Sequence, residues 1–403
     1  MTRHGLSKVG LRERVLREAD GLNERLSSMS NAFYHHPETA FREYETSAAL
    51  QRFLTENGFT VETGIAGLET AFRAVWGRGT PVIALLAEMD ALPGIGHGCG
   101  HNLIGPAAAG AAVVVSKVLP ETAGTVIVLG TPAEEDGGGK IALLNAGVFR
   151  EVDCAMMIHP SSRRMVTKGF IGLIRIHLTF TGRSSHASCY PEEGINALDA
   201  VLQTFNSVNA LRQQLRGDVR IHGIITDGGK APNIIPERAS ATFYVRAGDM
   251  RGLEATKERF LNCARGAALA TGCQVAIEEE DDVNAPMKIN RSLARMYREK
   301  LTDLGLEEEQ NTPDDRNLGS SDIGNVSQVV PTIHPLVPVR RGINIHTSEF
   351  AEATISDDGH RALLEGVKSM ALTTLELMTN PAALDAVKGE FMGTDPTFPK
   401  STA

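Results

Sequence analysis

The chain has 403 residues and a net charge of −9, and this acidic balance argues against a nucleic-acid-binding surface, which needs a basic stripe. Its 42% apolar and 22% charged residues describe an ordinary globular protein, and its length exceeds what one hydrophobic core usually supports, so we expect two domains. The sequence has no apolar run of about 18 residues and only five scattered cysteines, so it predicts no membrane span, no disulfide framework and a cytoplasmic location.

Strands and helices alternate over the first part of the chain, which predicts an α/β sheet. The apolar periodicity predicts helices at residues 22–33, 46–57, 106–118 and 140–146, and strands at residues 59–62, 69–75, 82–87, 124–129 and 154–158. Polar residues follow the last three of these strands. Open α/β sheets bind their ligands at the carboxyl ends of the strands, so we expect a site there.

A different pattern begins near residue 173. Strands and helices then follow in the order β-α-β-β-α-β as far as residue 279, which is the order of a ferredoxin-like fold. We therefore predict that residues 171–285 form an inserted α+β domain, and that residues 1–170 and 286–403 form one discontinuous α/β domain. A final helix is predicted at residues 355–378, and the tail from Asn380 is expected to lack regular structure.

Cys99 and His101 lie two positions apart in a glycine-rich loop. Both are ligands that zinc-like metals prefer, and glycines allow the backbone to fold closely around an ion. A cysteine and a histidine at this spacing are weak evidence alone, because the same segment could be a glycine loop with an incidental buried thiol.

Glu134 and Glu135 are adjacent acids at the end of a predicted strand. Neighbouring residues of an extended segment point in opposite directions, so one carboxylate could bind a metal while the other faces a substrate. Burial of both would require neutralising cations. The alternative for this pair alone is a solvated acidic turn.

His159 ends an apolar strand and His346 lies in a later loop, and either could be an ordinary hydrogen-bonded histidine. The convergence of these groups at the strand ends makes the metal interpretation stronger than each group does alone. Ligands of mixed sulfur, nitrogen and oxygen type, with one spare carboxylate, fit two metal ions that share a water. The remaining histidines are assigned to surface, turn or strand positions, and His97, close to the cysteine loop, is left open.

Together these segments resemble the M20 family of metallopeptidases, specifically its amidohydrolase branch. The matching stretches are His36-Pro37-Glu38, residues 88–93, 97–102, 131–135, 158–160, 182–187, 196–199, 231–236 and 319–322, and His346-Thr347. They follow one another over nearly the whole chain. Residues 99–103 and 321–325 make the aminoacylase-like and aminobenzoyl-glutamate hydrolase-like members the most similar ones.

The resemblance implies a role for each matching residue. The implied metal ligands are Cys99, His101, Glu135, His159 and His346, the general base is Glu134, the acid that orients the site is Asp90, and the substrate-binding residues are His186, Asn233 and Arg246. The resemblance also implies one or two Mn²⁺ or Zn²⁺ ions per subunit, and an inserted domain that acts as a lid and forms a homodimer. Many relatives have Asp where this chain has Asn102, and a neutral residue there would give His101 weaker support.

We therefore predict a metal-dependent amidohydrolase that cleaves the C–N bond of an N-acyl or N-aroyl amino acid or a small peptide, with no nucleic-acid or membrane partner. Two main alternatives remain. A hydrolytic deaminase could displace an amino group from an aromatic substrate at the same metal site. A non-catalytic relative could bind a small anion, although all five ligands are present. A redox protein that uses Cys99 is less favoured, because no second cysteine lies nearby.

Overall fold

The computed structural model describes residues 8–310 and 319–393, which form two compact units. The first unit contains residues 8–169, 288–310 and 325–393, and the second contains residues 170–287 and 319–324. None of the described helices is long and apolar enough to cross a membrane. The catalytic and dimerisation roles expected of the two domains stay predictions.

The first unit begins with two helices, continues with three strands, and then alternates helices with strands. Its elements up to residue 161 are α1 (Lys8–His35), α2 (Tyr44–Glu56), β1 (Thr60–Thr63), β2 (Phe72–Arg78), β3 (Val82–Glu88), α3 (His101–Val118), β4 (Gly124–Thr131), α4 (Gly139–Asn145), β5 (Cys154–Met156) and β6 (His159–Ser161).

The second unit has the predicted ferredoxin-like topology. Its elements are β7 (Gly172–Thr181), α5 (Ala197–Arg212), β8 (Arg220–Asp227), β9 (Arg238–Ala247), α6 (Met250–Thr271) and β10 (Gln274–Glu279). The four strands form an antiparallel sheet in the order β10-β7-β9-β8. Alternate residues of β7 and β9 are buried among apolar side chains of both helices, which gives this unit a core of its own. The predicted fold class, α/β with an inserted ferredoxin-like α+β unit, is confirmed.

The remaining elements follow β10 along the chain. They are α7 (Arg291–Asp303), α8 (Ile323–Val329), β11 (Thr332–Ile333), β12 (Leu336–Pro338), α9 (Ser348–Thr354), α10 (Asp357–Thr379) and α11 (Pro381–Gly393). The expectation of a tail without structure from Asn380 is wrong as far as Gly393. Asn290 donates a hydrogen bond to the backbone oxygen of Val387, which is fully buried, and this contact holds α11 at the start of α7.

The first unit contains a six-stranded sheet in the order β1-β2-β4-β3-β5-β11. Strand β3 runs parallel to β4 and β5, and both β3 and β4 are almost completely buried. Glu88, the last residue of β3, pairs in register with Thr131, the last residue of β4. The loops that follow these strands therefore begin at one edge of the sheet, where a ligand crevice forms.

Helix α3 is buried along nearly its whole length and packs against β3, α1 and α10. Small residues permit this close packing. A Cβ atom on Gly110 would lie 2.5 Å from a methyl carbon of Leu26 in α1. The packing fixes the first residue of α3, His101, at the edge where β3 and β4 end.

Candidate metal centre

Four segments of the first unit bring the predicted ligands together. The Sγ atom of Cys99 lies 3.4 Å from Nε2 of His159 and 3.4 Å from Nε2 of His346. One sulfur and one nitrogen bound to a tetrahedral zinc ion would lie about 3.6 Å apart, because the two bonds are about 2.3 Å and 2.0–2.1 Å long. These separations therefore match those of ligands that share an ion.

The adjacent glutamates belong to the same cluster. Nε2 of His101 is 3.8 Å from Oε1 of Glu135 and 4.0 Å from Oε2 of Glu134, and Nε2 of His346 is 3.7 Å from Oε1 of Glu135. Potential ligand atoms within 4.8 Å of one another form overlapping groups: Cys99, His101 and His159; Cys99, Glu135 and His346; His101, Glu134 and Glu135. These overlapping groups contain enough possible ligands for one or two ions, and Cys99 could serve in either group.

Two residues of the cluster's loops have left-handed backbone conformations. Gly100 has a φ of +83°, and a Cβ atom there would lie 2.7 Å from the Cβ of Pro160, so this position requires glycine. His346 has a φ of 65°, which is uncommon for a residue with a side chain, and its N–H donates to the backbone oxygen of Gly98 at 2.8 Å. Backbone conformations of this kind concentrate at functional sites.

Asp90 orients two members of the cluster. Its Oδ1 accepts a hydrogen bond from Nδ1 of His101 at 3.2 Å, and its Oδ2 accepts one from the backbone N–H of Glu135 at 3.0 Å. Nε2 of His101 is thereby turned into the cluster, as in metal sites where a carboxylate holds a ligating histidine. Nε2 of His101 and Oε1 of Glu135 are buried and have no hydrogen-bond partner among the described residues. A divalent cation would satisfy both atoms, so the residues present fit a metal.

The pKa values of the two histidines and the cysteine discussed here agree with the binding of a metal at this cluster. Burial lowers the pKa of His159 to about 4, which leaves its imidazole neutral at neutral pH, the form that binds metals. Burial alone would also lower the pKa of His101, but its bond to Asp90 and the charge of Glu88 hold that pKa well above its usual range. The surroundings of His101 thus favour a positive charge at this point. Burial raises the pKa of the Cys99 thiol, which a bound cation would reverse.

Three buried polar residues next to the cluster were not identified from the sequence. Nζ of Lys140 lies 2.6 Å from Oε1 of Glu88, and neither side chain is exposed. His334, assigned above to a surface, turn or strand position, is buried, and its ring centre lies 5.2 Å from that of His159. Burial lowers the pKa of His334 to about 3. The one available signal was Glu88, an acid at the end of an otherwise apolar strand.

The two positions left open above are also buried. His97 is 1% exposed, and burial lowers its pKa to about 3. The amide nitrogen of Asn102 donates to the hydroxyls of Ser30 and Thr354, both at 3.0 Å. Asn102 therefore holds α3 to α1 and α9, while support of the histidine ring comes from Asp90.

The predicted substrate-binding residues belong to the second unit. His186 and Asn233 are exposed and lie on adjoining segments, because the backbone N–H of Ala187 donates to the backbone oxygen of Asn233 at 3.0 Å. Arg246 donates to Oγ of Ser320 at 2.9 Å and to Nε2 of His222 at 3.3 Å. Burial lowers the pKa of the Arg246 guanidinium. The substrate-binding role of all three stays a prediction.

Comparison with known proteins adds independent evidence. A family model described as a peptidase dimerisation domain matches residues 169–271. The chain is 38% identical to the Xaa-Arg dipeptidase of Mus musculus, over 94% of this chain and 92% of that protein. It is 29% identical to a component of the p-aminobenzoyl-glutamate hydrolase of Escherichia coli (strain K12), over 95% of this chain and 94% of the relative. A solved dinuclear metal-binding peptidase of the M20 family from Bacillus subtilis superposes with a TM-score of 0.70 at 22% identity, over 89% of this chain and 99% of that one.

Proposed function

The chain belongs to the M20 family and is a metal-dependent amidohydrolase, and from this premise we propose which of its residues carry out the hydrolysis and on what substrate. The proposal rests on one observation: the ligand groups of Cys99, His101, Glu135, His159 and His346 meet in one cluster, with the carboxylate of Glu134 beside it. The substrate is an N-acyl or N-aroyl amino acid or a small peptide.

The five residues just named would hold one or two divalent ions, zinc or manganese. When bound, such ions lower the pKa of water toward neutrality and polarise an amide carbonyl. Mixed sulfur, nitrogen and oxygen ligands suit zinc, and manganese accepts the same imidazole and carboxylate groups. Asp90 keeps His101 in the orientation and tautomer in which Nε2 can bind.

Glu134 is the proton carrier in this proposal. Its carboxylate takes a proton from the attacking water and returns it to the nitrogen that leaves when the C–N bond breaks. Glu134 suits this role because the adjacent Glu135 is the nearer of the two to His101 and also lies 3.7 Å from His346, so Glu135 can act as the ligand. His186, Asn233 and Arg246 would bind the substrate carboxylate or the oxyanion of the tetrahedral intermediate.

The substrate class can be narrowed by the relatives. A dipeptidase for C-terminal arginine shares 38% identity with the chain, so dipeptides with a C-terminal arginine are the first substrates to assay. Aminobenzoyl-glutamate is the second, because a hydrolase of that compound shares 29% identity. Release of a free amino acid from either would support the proposal. Release of ammonia from an aromatic amine, without a carboxylic acid product, would support the deaminase alternative instead.

The decisive test of the base is Glu134→Gln, with metal content measured by elemental analysis. We expect the ions to remain and the turnover to fall by about 10²–10⁴-fold, which is the usual contribution of a general base. Asp136→Asn is the matched control, because Asp136 is an exposed acid two residues away, and it should leave turnover unchanged. Near wild-type turnover of Glu134→Gln with intact metal would remove Glu134 from this role.

We also propose that the protein forms a homodimer through its second unit. A peptidase dimerisation domain model matches this part of the chain. Strand β8 is an edge of the second sheet, so one side of its backbone pairs with no other described strand, and Ile224 on this strand is 66% exposed. An exposed apolar edge strand is a surface that proteins commonly cover.

A further inference from the structure

We propose that Glu88 is a further ligand of the ion bound by His101, and that Lys140 holds the other oxygen of its carboxylate. This inference rests on the metal centre of the proposed function and extends it. Glu88 was not among the ligands predicted from the sequence or implied by the resemblance.

The distances place Glu88 closer to His101 than either predicted glutamate. Oε2 of Glu88 lies 3.4 Å from Nε2 of His101, compared with 3.8 Å for Glu135 and 4.0 Å for Glu134. A nitrogen and an oxygen that share a tetrahedral ion, each about 2.1 Å from it, lie about 3.4 Å apart. Oε2 of Glu88 therefore has the separation expected of a neighbouring ligand.

The two oxygens of this carboxylate have different environments. Oε1 lies 2.6 Å from the ammonium of Lys140. Both oxygens are buried without a geometrically ideal hydrogen bond among the described residues, but Oε1 has the ammonium of Lys140 beside it, whereas Oε2 lies 3.4 Å from Nε2 of His101. An unpartnered oxygen on a fully buried carboxylate is costly, and a cation would remove that cost. In metal sites, the carboxylate oxygen that does not bind the ion often contacts another polar group. Lys140 is that group for Oε1 of Glu88.

The alternative is an ion pair that only stabilises the fold. Such a pair would not need Oε2 to face the nitrogen that His101 presents to the cluster, nor a ligand atom of Glu134 within 4.8 Å of one of Glu88. The charge of Lys140 cancels that of Glu88, so this ligand can enter the site without adding net negative charge. The pair thus supplies an oxygen ligand in a buried position where a lone carboxylate would be expensive.

The test replaces both charges together and measures metal binding. Removal of Glu88 alone would take away the carboxylate that lies 2.6 Å from the buried ammonium of Lys140, so the test variant combines Glu88→Gln with Lys140→Met and removes both charges. Metal-free protein is titrated with Zn²⁺ by calorimetry, and the absorption spectrum of the Co²⁺-loaded form is recorded. We expect the double variant to fold with a wild-type circular dichroism spectrum, to bind one ion at least about 10-fold more weakly, and to have altered Co²⁺ bands.

Arg164→Leu with Glu365→Gln is the matched control, because it removes another ion pair of the same unit, 2.7 Å between Nε and Oε1. This control should keep wild-type affinity and the wild-type Co²⁺ spectrum. Wild-type affinities and bands in the Glu88/Lys140 double variant would overturn the proposal and leave the pair a structural one.

Anomalous diffraction from crystals of the Zn²⁺-loaded wild-type protein decides the question even if a variant fails to fold. An Oε2-to-ion distance of about 2.0–2.2 Å supports the proposal, and one beyond about 3 Å overturns it. Wild-type protein that binds no Zn²⁺ in the titration would contradict the metal centre itself, and with it the proposed function. The two failures are therefore distinguishable.

Discussion

Ala133, which precedes Glu134 and Glu135, has a left-handed backbone conformation with a φ of 57°. Residues with a side chain rarely adopt this conformation unless their surroundings hold them there. The buried carboxylate of Glu43 holds Ala133 in this conformation, because its Oε1 accepts a hydrogen bond from the backbone N–H of Ala133 at 2.9 Å. Its Oε2 accepts one from Oγ1 of Thr70 at 2.8 Å. Glu43 is therefore a positioning residue for the adjacent glutamates.

Glu43→Ala should destabilise the protein and slow turnover together. It leaves the N–H of Ala133 and the hydroxyl of Thr70 without their acceptor, at about 1–3 kcal/mol for each buried group. Glu43→Gln keeps an oxygen for the backbone donor and should recover most of both properties. Urea unfolding and kcat provide the measurements. Glu45→Ala, at an exposed position two residues away in the first turn of α2, should stay within about 0.5 kcal/mol of wild type. A stable and fully active Glu43→Ala variant would contradict this role.

Gly100 separates two proposed ligands and can be tested against a glycine of the same conformation. Gly100→Ala should lose about 1–2 kcal/mol from the left-handed backbone, and more from the 2.7 Å approach of the new methyl to Pro160. Gly58 has a φ of +86° and nothing within 4 Å of a Cβ, so Gly58→Ala carries the backbone penalty alone. Thermal unfolding should show a larger loss of stability for Gly100→Ala than for Gly58→Ala, and only Gly100→Ala should weaken Zn²⁺ binding. Equal losses of stability in the two variants would mean that Pro160 moves away from the new methyl group at no cost.

At the scale of elements, the strand ends were the predictable part of the site. Strands β3 and β4 are short apolar runs, and the residues after them had to share an edge once the strands were parallel and in register. The structure brings Asp90 and the adjacent glutamates together for that reason. The burial of Lys140 could not be predicted, because a lysine in the first turn of a short helix normally faces water. Its contact with Glu88, which is distant in sequence, offsets part of the cost of this burial.

Helix ends also depend on contacts that periodicity does not reveal. Helix α11 was missed because its stabilising contacts are distant in sequence: Glu390 accepts hydrogen bonds from the backbone N–H groups of Arg291 and Ser292 at the start of α7. Helix α1 was expected at residues 22–33 and begins instead at Lys8. Its first half is charged, yet Val15 and Ala19 are fully buried.

Asp249 offers a prediction at the scale of one helix. It precedes α6 and its Oδ1 accepts a hydrogen bond from the backbone N–H of Gly252 at 2.7 Å. Asp249→Ala should lower the free energy of unfolding by about 1 kcal/mol, the usual value of such a cap, and Asp249→Asn should retain most of it. Urea unfolding at pH 7 measures both variants.

The pH dependence of this cap follows from the pKa of Asp249. The hydrogen bond from Gly252 and the charge of Arg216 hold that pKa below its usual value of about 3.9. The carboxylate's contribution is therefore complete above about pH 4 and is lost as the pH falls through the lowered pKa. The stability advantage of wild type over Asp249→Asn, which does not titrate there, should shrink on acidification. An advantage that grows below pH 4 would contradict the assignment.

At the scale of the whole molecule, the order of elements predicted the ferredoxin-like unit because its period-two strands and amphipathic helices each bury one face. The substrate was not predictable, because the residues that would contact it are scattered along the chain and none forms a local pattern. His346 shows the same difficulty: its neighbours in the cluster, Cys99 and Glu135, lie far away in sequence.

The oligomeric state gives the remaining prediction. Light scattering should yield about twice the chain mass of 43.2 kDa. Ile224→Lys places a charge on the exposed edge strand β8, where lysine opposes strand pairing, and should shift the protein toward the monomer. Leu269→Lys is the control, because Leu269 is 86% exposed on helix α6 of the same unit, away from the strand edge, and it should leave the dimer intact. A dimer that survives Ile224→Lys but not Leu269→Lys would move the interface from the strand edge to the helix.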